Sequence, residues 1–72
     1  MKDAAYYRTR AASCRRLAGE RLEWCENEAV IKRYSGVPAS LDERRKLGLE
    51  VMAAADDLEA AAERLEARER AA

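Results

Sequence analysis

The single proline of this chain lies near its midpoint, in residues 35–40, and it restricts the fold more than any other residue. Pro38 cannot continue a helix that precedes it, and it favours an extended backbone at Val37. Gly36 can adopt the left-handed conformation that commonly ends a helix. We therefore predict that one helix ends at this segment and that the chain turns there.

The residues after the proline have the pattern of a helix start. Ser40 and Glu43 have the S-x-x-E spacing of a capping box, in which each side chain accepts a hydrogen bond from a free backbone N–H of the first turn. Asp42 and Glu43 also place negative charge at the positive end of the helix dipole. A second helix is therefore predicted to follow directly.

The composition on both sides of this corner is typical of helices. The 72 residues include no Phe, and the chain is rich in Ala, Leu, Glu and Arg. Neither half shows the apolar–polar alternation of a strand. We predict one all-α domain over residues 1–72, made of a helix over 4–34 with Asp3 as its N-cap, a turn over 35–40 and a helix over 41–70.

Each predicted helix carries a row of apolar residues at steps of three and four, which places the row on one face. The rows are Tyr7, Ala11, Cys14, Ala18, Leu22, Cys25 and Ala29 in the first helix, and Leu47, Val51, Ala54, Leu58, Ala61 and Leu65 in the second. Folding the chain at Val37 and Pro38 puts the rows side by side, with Leu22 opposite Ala54. The predicted fold is an antiparallel two-helix hairpin in which large residues mostly meet small ones.

The charges favour the same arrangement. The start of the first helix is mainly basic, and the far half of the second helix is rich in acids, namely Asp56, Asp57, Glu59, Glu63, Glu66 and Glu69. An antiparallel pair places these regions beside each other. Each surface ion pair contributes less than about 1 kcal/mol, so the charges select an orientation more than they hold the fold.

A second apolar face lies outside these rows and is the candidate interface. It consists of Tyr6, Leu17, Trp24 and Ile31 on the first helix and Leu49, Ala53 and Ala60 on the second. In the predicted register Trp24 lies over Ala53. An exposed apolar face on a small chain is typical of a protein–protein interface. A weaker apolar strip, expected on the opposite side, consists of Ala12, Gly19, Gly48, Met52, Ala55 and Ala62.

Three kinds of partner are consistent with such a chain. A second copy would complete a four-helix bundle, and a different protein would dock on the same face. The alternative is RNA binding by the aromatic and cationic residues Tyr6, Tyr7, Arg8, Arg10, Arg15 and Arg16. Against RNA, the four arginines point in different directions around the helix, and the acidic second helix neutralises some of them. The overall charge is also balanced, with 14 basic and 14 acidic residues.

Several kinds of chemistry are not expected. The chain has no histidine and therefore no Ser-His or Cys-His pair, and it has no glycine-rich phosphate loop. Cys14 and Cys25 lie on one predicted helix, roughly 16 Å apart along its axis, which is beyond disulfide reach. We expect no enzymatic activity, cofactor or metal site. With no apolar run of ~18 residues and no signal peptide, a cytoplasmic protein without membrane contact is expected.

The run Tyr7–Ala18 resembles the opening of small helical proteins common in alphaproteobacteria, whose pattern is approximately Y-R-x-R-A-x-x-C-R-x-L-A. The match ends at Ala18, because the first helix is longer here and the proline corner differs. This resemblance implies a helical hairpin and no particular activity. The overall plan is also similar to the hairpin co-chaperones of type III secretion needle subunits, and a phage-encoded inhibitor of a bacterial complex would share it. These likenesses imply an adaptor or inhibitor.

Overall fold

The computed structural model describes residues 2–72 and contains three helices. They are α1 (Ala4–Glu26), α2 (Glu28–Arg33) and α3 (Pro38–Ala71). The described residues form no strand, which confirms the all-α prediction. The two long helices, α1 and α3, pack along each other in opposite directions, since residues near the start of α1 pair with residues near the end of α3.

The start of α1 is capped as predicted. The Asp3 carboxylate accepts a hydrogen bond from the backbone N–H of Tyr6, at 2.9 Å. An aspartate at this position satisfies one of the N–H groups that the first turn leaves without an intrahelical partner. The N-cap prediction is therefore confirmed.

The predicted continuous helix over 4–34 is instead divided at Asn27. Asn27 has an extended backbone, with φ −69° and ψ 128°, so the helical path stops there. Its Oδ1 accepts a hydrogen bond from the N–H of Ala29 at 2.9 Å and thereby caps α2. Asparagine side chains offer the backbone such local hydrogen bonds in place of helical ones. Apolar periodicity continues across Asn27, which is why the pattern predicted a single helix.

The chain then turns over residues 34–37. The backbone N–H of Val37 donates to the carbonyl of Tyr34 at 2.9 Å. Gly36 does not adopt the predicted left-handed conformation, because no residue among those described has a positive φ. A Cβ built on Gly36 would meet no atom within 4 Å. The turn is therefore closed by backbone hydrogen bonds, and it does not require glycine at this position.

Helix α3 begins earlier than predicted, at Pro38 and not at residue 41. Proline is favoured at the first helical position, where its missing N–H is not needed and its φ already suits the helix. Ser40 consequently lies inside the first turn, and Val37, at the N-cap position, makes no side-chain capping bond. The predicted capping box of Ser40 and Glu43 is wrong for this reason.

The contact line between α1 and α3 is built mostly from small residues, with Leu41 as the exception at the turn end. The buried residues are Ala4, Ala11, Ala18 and Cys25 on α1 and Leu41, Gly48, Ala55 and Ala62 on α3. Both sets recur at intervals of seven, the spacing that keeps a row in contact with a partner helix over several turns. Small side chains allow the two backbones to approach closely.

This contact line corrects the prediction for α3. The predicted row on α1 is largely buried or half-buried, apart from Ala29, which lies beyond the break. On α3, however, Leu47 and Ala54 are exposed, and the contact comes from Gly48, Ala55 and Ala62, which we expected on the opposite side. Beyond Leu41 at the turn end, the α3 side of the contact is made only of glycine and alanine, and the predicted α3 row with its larger side chains lies along one edge of the contact.

The register also differs from the prediction. Leu22, predicted opposite Ala54, lies against Gly48, where an added Cβ would be 3.1 Å from Leu22 Cδ2 and Cγ. Leu22 therefore contacts α3 more than one helical turn nearer the start of that helix than predicted. The shift follows from the break at Asn27 and from the early start of α3 at Pro38, which together move the reversal of the chain towards the N-terminus.

The helix pair is long and thin, with extents of 57 × 17 × 15 Å. Its turn end is closed by a small apolar cluster of Cys25, Val30 and Leu41, against which Tyr34 packs. Cys25 is the largest fully buried side chain among residues 2–72. None of the helices in this part of the chain is both long and apolar enough to cross a membrane.

Candidate protein interface

One edge of the helix pair is lined with ion pairs and is called here the ion-pair edge. Arg8 pairs with Glu66 and with Glu59 (3.1 Å), and Arg15 pairs with Glu59 and Asp56 (2.9 Å each). Near the turn, Arg45 of α3 pairs with Glu26 of α1 at 3.2 Å. The predicted pairing of the basic start of α1 with the acidic end of α3 is therefore confirmed.

These carboxylates hold the guanidinium groups of Arg8 and Arg15. Hydrogen bonding to Glu66 raises the pKa of Arg8, and hydrogen bonding to Asp56 and Glu59 raises the pKa of Arg15. Both groups are open to solvent, so the pairs stabilise the orientation of the helices more than the fold itself. Arg16 also lies 3.7 Å from Glu20, so three of the four arginines on which the RNA hypothesis depends are already paired with carboxylates.

The opposite edge of the pair carries an open groove of about 670 Å³. It is lined mainly by apolar side chains, with charged residues at its sides: Leu17, Ala18, Glu20, Arg21, Trp24, Arg44, Leu47 and Val51. Three of the large apolar residues remain well exposed, Leu17 by 54%, Leu47 by 51% and Trp24 by 37%. We refer to this feature as the groove.

The groove forms because the side chains on the contact line are smaller than the side chains on either side of it. Leu17 and Trp24 are seven residues apart on α1, and Leu47 and Val51 are four apart on α3, so each pair forms a row beside the buried small residues. The small residues bring the backbones together, and the larger neighbours project beyond them. Two apolar walls with a narrow floor result.

Trp24 is held at the turn end of the groove by Tyr34 and Arg44. The rings of Trp24 and Tyr34 meet edge to face, with centroids 5.9 Å apart and planes at 80°. The guanidinium carbon of Arg44 lies 5.8 Å from each ring centroid, within the range of cation–π attraction. The arginine head group is thus positioned by two aromatic rings.

A smaller hollow of about 200 Å³ lies on the same side of α3. It is lined by Lys2, Tyr7, Ala61, Arg64, Leu65 and Arg68. Ala61 and Leu65 belong to the same helical row as Leu47 and Val51, so this hollow and the groove open on one side of the molecule. This side therefore combines an apolar centre with basic neighbours along much of its length.

The structure separates the predicted interface residues into two groups. Leu17 and Trp24 line the groove, and Tyr6 and Ile31 are also exposed on the N-terminal part of the chain. Leu49, Ala53 and Ala60 share a helical face with Asp56, since they lie at steps of three, four and seven from it, and that face borders the ion-pair edge. The predicted contact of Trp24 with Ala53 required the register and helix rotation that the structure corrects.

Six groove residues were not assigned to the interface from the sequence, namely Ala18, Glu20, Arg21, Arg44, Leu47 and Val51. Leu47 and Val51 have the periodicity of a core row, and Arg44 carries no signal by itself. The spacing by seven of Gly48, Ala55 and Ala62 is the pattern that could have indicated the true contact line.

Within residues 2–72, no three His, Cys, Asp or Glu side chains are grouped so that they could hold a metal ion. Cys14 and Cys25 are both free thiols, and Cys25 is fully buried.

Comparison of the chain with protein-family models, with curated proteins and with solved structures gave no match. The resemblance of residues 7–18 to small alphaproteobacterial helical proteins, and the likeness to secretion co-chaperones, therefore stay predictions.

Proposed function

We propose that this chain is a small protein–protein interaction module, a helical hairpin that acts by binding and not by catalysis. The groove is the observation that carries the proposal. It leaves Leu17, Trp24 and Leu47 exposed on one side of a molecule whose contact line consists mostly of alanine and glycine. Contiguous apolar surface of this kind is typical of interaction sites.

The total surface supports the same conclusion. Residues of this chain expose 5477 Å². A compact monomeric protein of the same mass is expected to expose about 4,500 Å². The excess arises because two helices alone cannot enclose a core. A partner that covered the groove would remove part of this apolar surface, which favours binding by about 25 cal/mol for each Å² buried.

Two occupants of the groove are consistent with this function. A second copy of the chain would give a homodimeric four-helix bundle. If the occupant is a different protein, the chain is an adaptor or inhibitor, for example a co-chaperone of a secretion system or a phage-encoded inhibitor of a bacterial complex. Both occupants bury the same side chains.

Photo-cross-linking tests the proposal without assuming an occupant. A photoreactive amino acid is placed at position 47 or at position 49 in the cells that produce the protein. Leu47 and Leu49 are almost equally exposed, at 51% and 55%, but only Leu47 lines the groove. We expect one dominant protein adduct from position 47 and much less from position 49. Equal adducts from the two positions, or none from position 47, would contradict the proposal.

A further inference from the structure

The cations that line the groove differ from those of the ion-pair edge, because they pair with no carboxylate in the described part of the chain. Arg21 and Arg44 line the groove, and neither forms an ion pair with any carboxylate of residues 2–72. Glu20 is the acid that lines the groove, and it lies 3.7 Å from Arg16. The net charge at the groove is therefore positive.

The smaller hollow repeats this arrangement at the other end of the helix pair. Lys2, Arg64 and Arg68 line it, and none of them pairs with a carboxylate among the described residues. In contrast, the arginines that cross between α1 and α3, namely Arg8, Arg15 and Arg45, all lie on the ion-pair edge. One side of the molecule thus combines exposed apolar residues with cations whose charge is not balanced.

We propose that the groove binds an amphipathic helix of a different protein, whose apolar stripe is flanked by aspartate and glutamate. This inference rests on the proposed function, since it names the occupant of the same groove. The apolar stripe packs between the two rows formed by Leu17 with Trp24 and Leu47 with Val51. The flanking carboxylates pair with Arg21 and Arg44.

The shape of the groove selects a helix. The groove lies between two antiparallel helices, so a third helix laid along it completes a three-helix bundle at ordinary packing distances of about 8–10 Å. Leu17 and Trp24 lie roughly 10 Å apart along the axis of α1, which matches apolar residues two turns apart on the incoming helix. An extended or irregular segment would leave backbone N–H and C=O groups against apolar walls without partners.

The guanidinium of Arg44 is prepared for a carboxylate. It is held over the rings of Trp24 and Tyr34, which fixes its position but uses none of its N–H donors. A guanidinium fixed in this way loses less conformational freedom on pairing with a carboxylate than a mobile side chain does. Arg44 therefore attracts a carboxylate of the incoming helix and also fixes where along the groove that carboxylate binds.

The same charges disfavour a second copy of the chain as the occupant. A closed dimer with two-fold symmetry would place groove on groove and would bring Arg21 and Arg44 towards their own copies. Like charges that face each other across an interface are unfavourable. Glu59 and Asp56, which could neutralise them, lie on the ion-pair edge, where they are paired with Arg15.

Nucleic acid is a poorer match for this surface. A phosphate backbone would satisfy the cations, but it would leave the leucine walls of the groove exposed. The Trp24 ring, the natural platform for a base, is already in contact with Tyr34 and Arg44.

Titration with two synthetic helical peptides tests the inference. Both peptides have about 25 residues and the same leucine and alanine stripe, with glutamate flanking the stripe in one and lysine in the other. Both lack tryptophan, so the fluorescence of Trp24, the only Trp of the chain, reports binding. We expect the glutamate peptide to bind at least about tenfold more tightly at low salt, with a smaller difference at high salt.

Variants of the full chain assign the effect to the groove. Replacing both cations, Arg21→Gln with Arg44→Gln, should remove most of the preference for the glutamate peptide. Leu47→Glu should abolish binding of both peptides, and the matched variant Leu49→Glu should bind like the parent. Circular dichroism of each variant verifies that it is folded.

The outcomes separate this inference from the proposed function. Equal affinities for the two peptides would overturn the acidic partner but leave the groove as a binding site. A dimer in sedimentation that Leu47→Glu dissociates would assign the groove to a second copy and would also overturn it. The acidic helix would be rejected if a single-stranded RNA oligonucleotide bound more tightly than the glutamate peptide, or if neither peptide bound. In either case, cross-linking from position 47 would still decide the proposed function.

Discussion

The side chain of Leu22 in α1 lies directly against Gly48 in α3. A Cβ at Gly48 would be 3.1 Å from Leu22 Cγ and Cδ2, and 3.8 Å from the carbonyl oxygen of Ala18. An alanine at position 48 would therefore crowd the side chain of Leu22, whereas the backbone of α1 would lie at an ordinary contact distance from it. By contrast, a Cβ at Gly19 would meet no atom of residues 2–72 within 4 Å beyond its chain neighbours and the backbone of its own helical turns.

The two helical glycines should respond differently to alanine. Gly19→Ala should raise the free energy of unfolding by about 0.5–1 kcal/mol, because alanine loses less backbone entropy in a helix and nothing obstructs its methyl group. Gly48→Ala should gain less or should destabilise, because Leu22 must move. Urea denaturation followed by circular dichroism measures both values. In a Leu22→Ala variant, Gly48→Ala should raise the free energy of unfolding as much as Gly19→Ala does. If Gly48→Ala and Gly19→Ala raise it equally in the parent, the close contact of Leu22 with Gly48 is refuted.

The helix caps provide a second prediction. Asp3→Ala and Asn27→Ala should each lower the free energy of unfolding by about 1 kcal/mol, because each side chain accepts a hydrogen bond from a backbone N–H. Ser40→Ala should change it by no more than a few tenths of that amount, since Ser40 lies inside the first turn of α3. Thermal or urea unfolding compares the three variants. A Ser40→Ala loss as large as that of Asp3→Ala would restore the capping box.

Glu59 is the centre of the ion-pair edge, because it accepts from both Arg8 and Arg15. Glu59→Gln should destabilise the fold by less than about 1 kcal/mol at low salt, and the loss should shrink as salt screens the pairs. Asp57→Asn, at an exposed acid that pairs with no cation of residues 2–72, is the matched control. A salt-independent loss would show that Glu59 acts through packing.

The raised pKa values of Arg8 and Arg15 define the pH range of that contribution. A cation whose pKa is higher in the folded state stabilises the fold at every pH below its unfolded value, and this stability is lost only as the pH rises through the folded value. Titration of these arginines should therefore produce no pH dependence of stability near neutrality. Unfolding measured from pH 6 to pH 9 in the parent and in Arg15→Gln should give a constant difference.

The two thiols should differ in reactivity. Cys14 is half-buried, whereas Cys25 is fully buried in the cluster at the turn end. Iodoacetamide should therefore alkylate Cys14 in the folded protein and Cys25 only when the structure opens. Mass spectrometry of the variants Cys14→Ala and Cys25→Ala follows each thiol separately. Similar rates in the folded state, with equal rates in urea, would show that the cluster opens readily.

Trp24 should matter more for assembly than Leu49. Trp24→Ala removes a large side chain that lines the groove, whereas Leu49→Ala removes one beside the ion-pair edge. Calorimetric titration with the glutamate peptide, which needs no tryptophan signal, should show weaker binding by Trp24→Ala than by Leu49→Ala. If both variants bind the peptide like the parent, the interface lies elsewhere.

Several features of the molecule could be predicted from local sequence signals. Alanine, leucine, glutamate and arginine specify helix on either side of Pro38, Asp3 marks the start of α1, and the opposite charges of Arg8 and Glu66 predict which ends meet. Each of these signals acts over a few residues or through net charge, so it needs no knowledge of the register. Leu17 and Trp24 were assigned to an exposed apolar face for the same reason.

Only the tertiary structure decided which residues form the contact line, how the two helices are aligned, and that Leu47 and Val51 form the α3 wall of the groove. The row of Leu47 and Val51 and the row of Gly48 and Ala55 have the same helical spacing, so periodicity cannot choose between them. The choice depends on how closely two backbones can approach, which favours the smallest side chains at the contact and leaves the leucines to border a groove. The register depends in turn on Asn27, where a side-chain hydrogen bond interrupts a helix that the apolar pattern would continue.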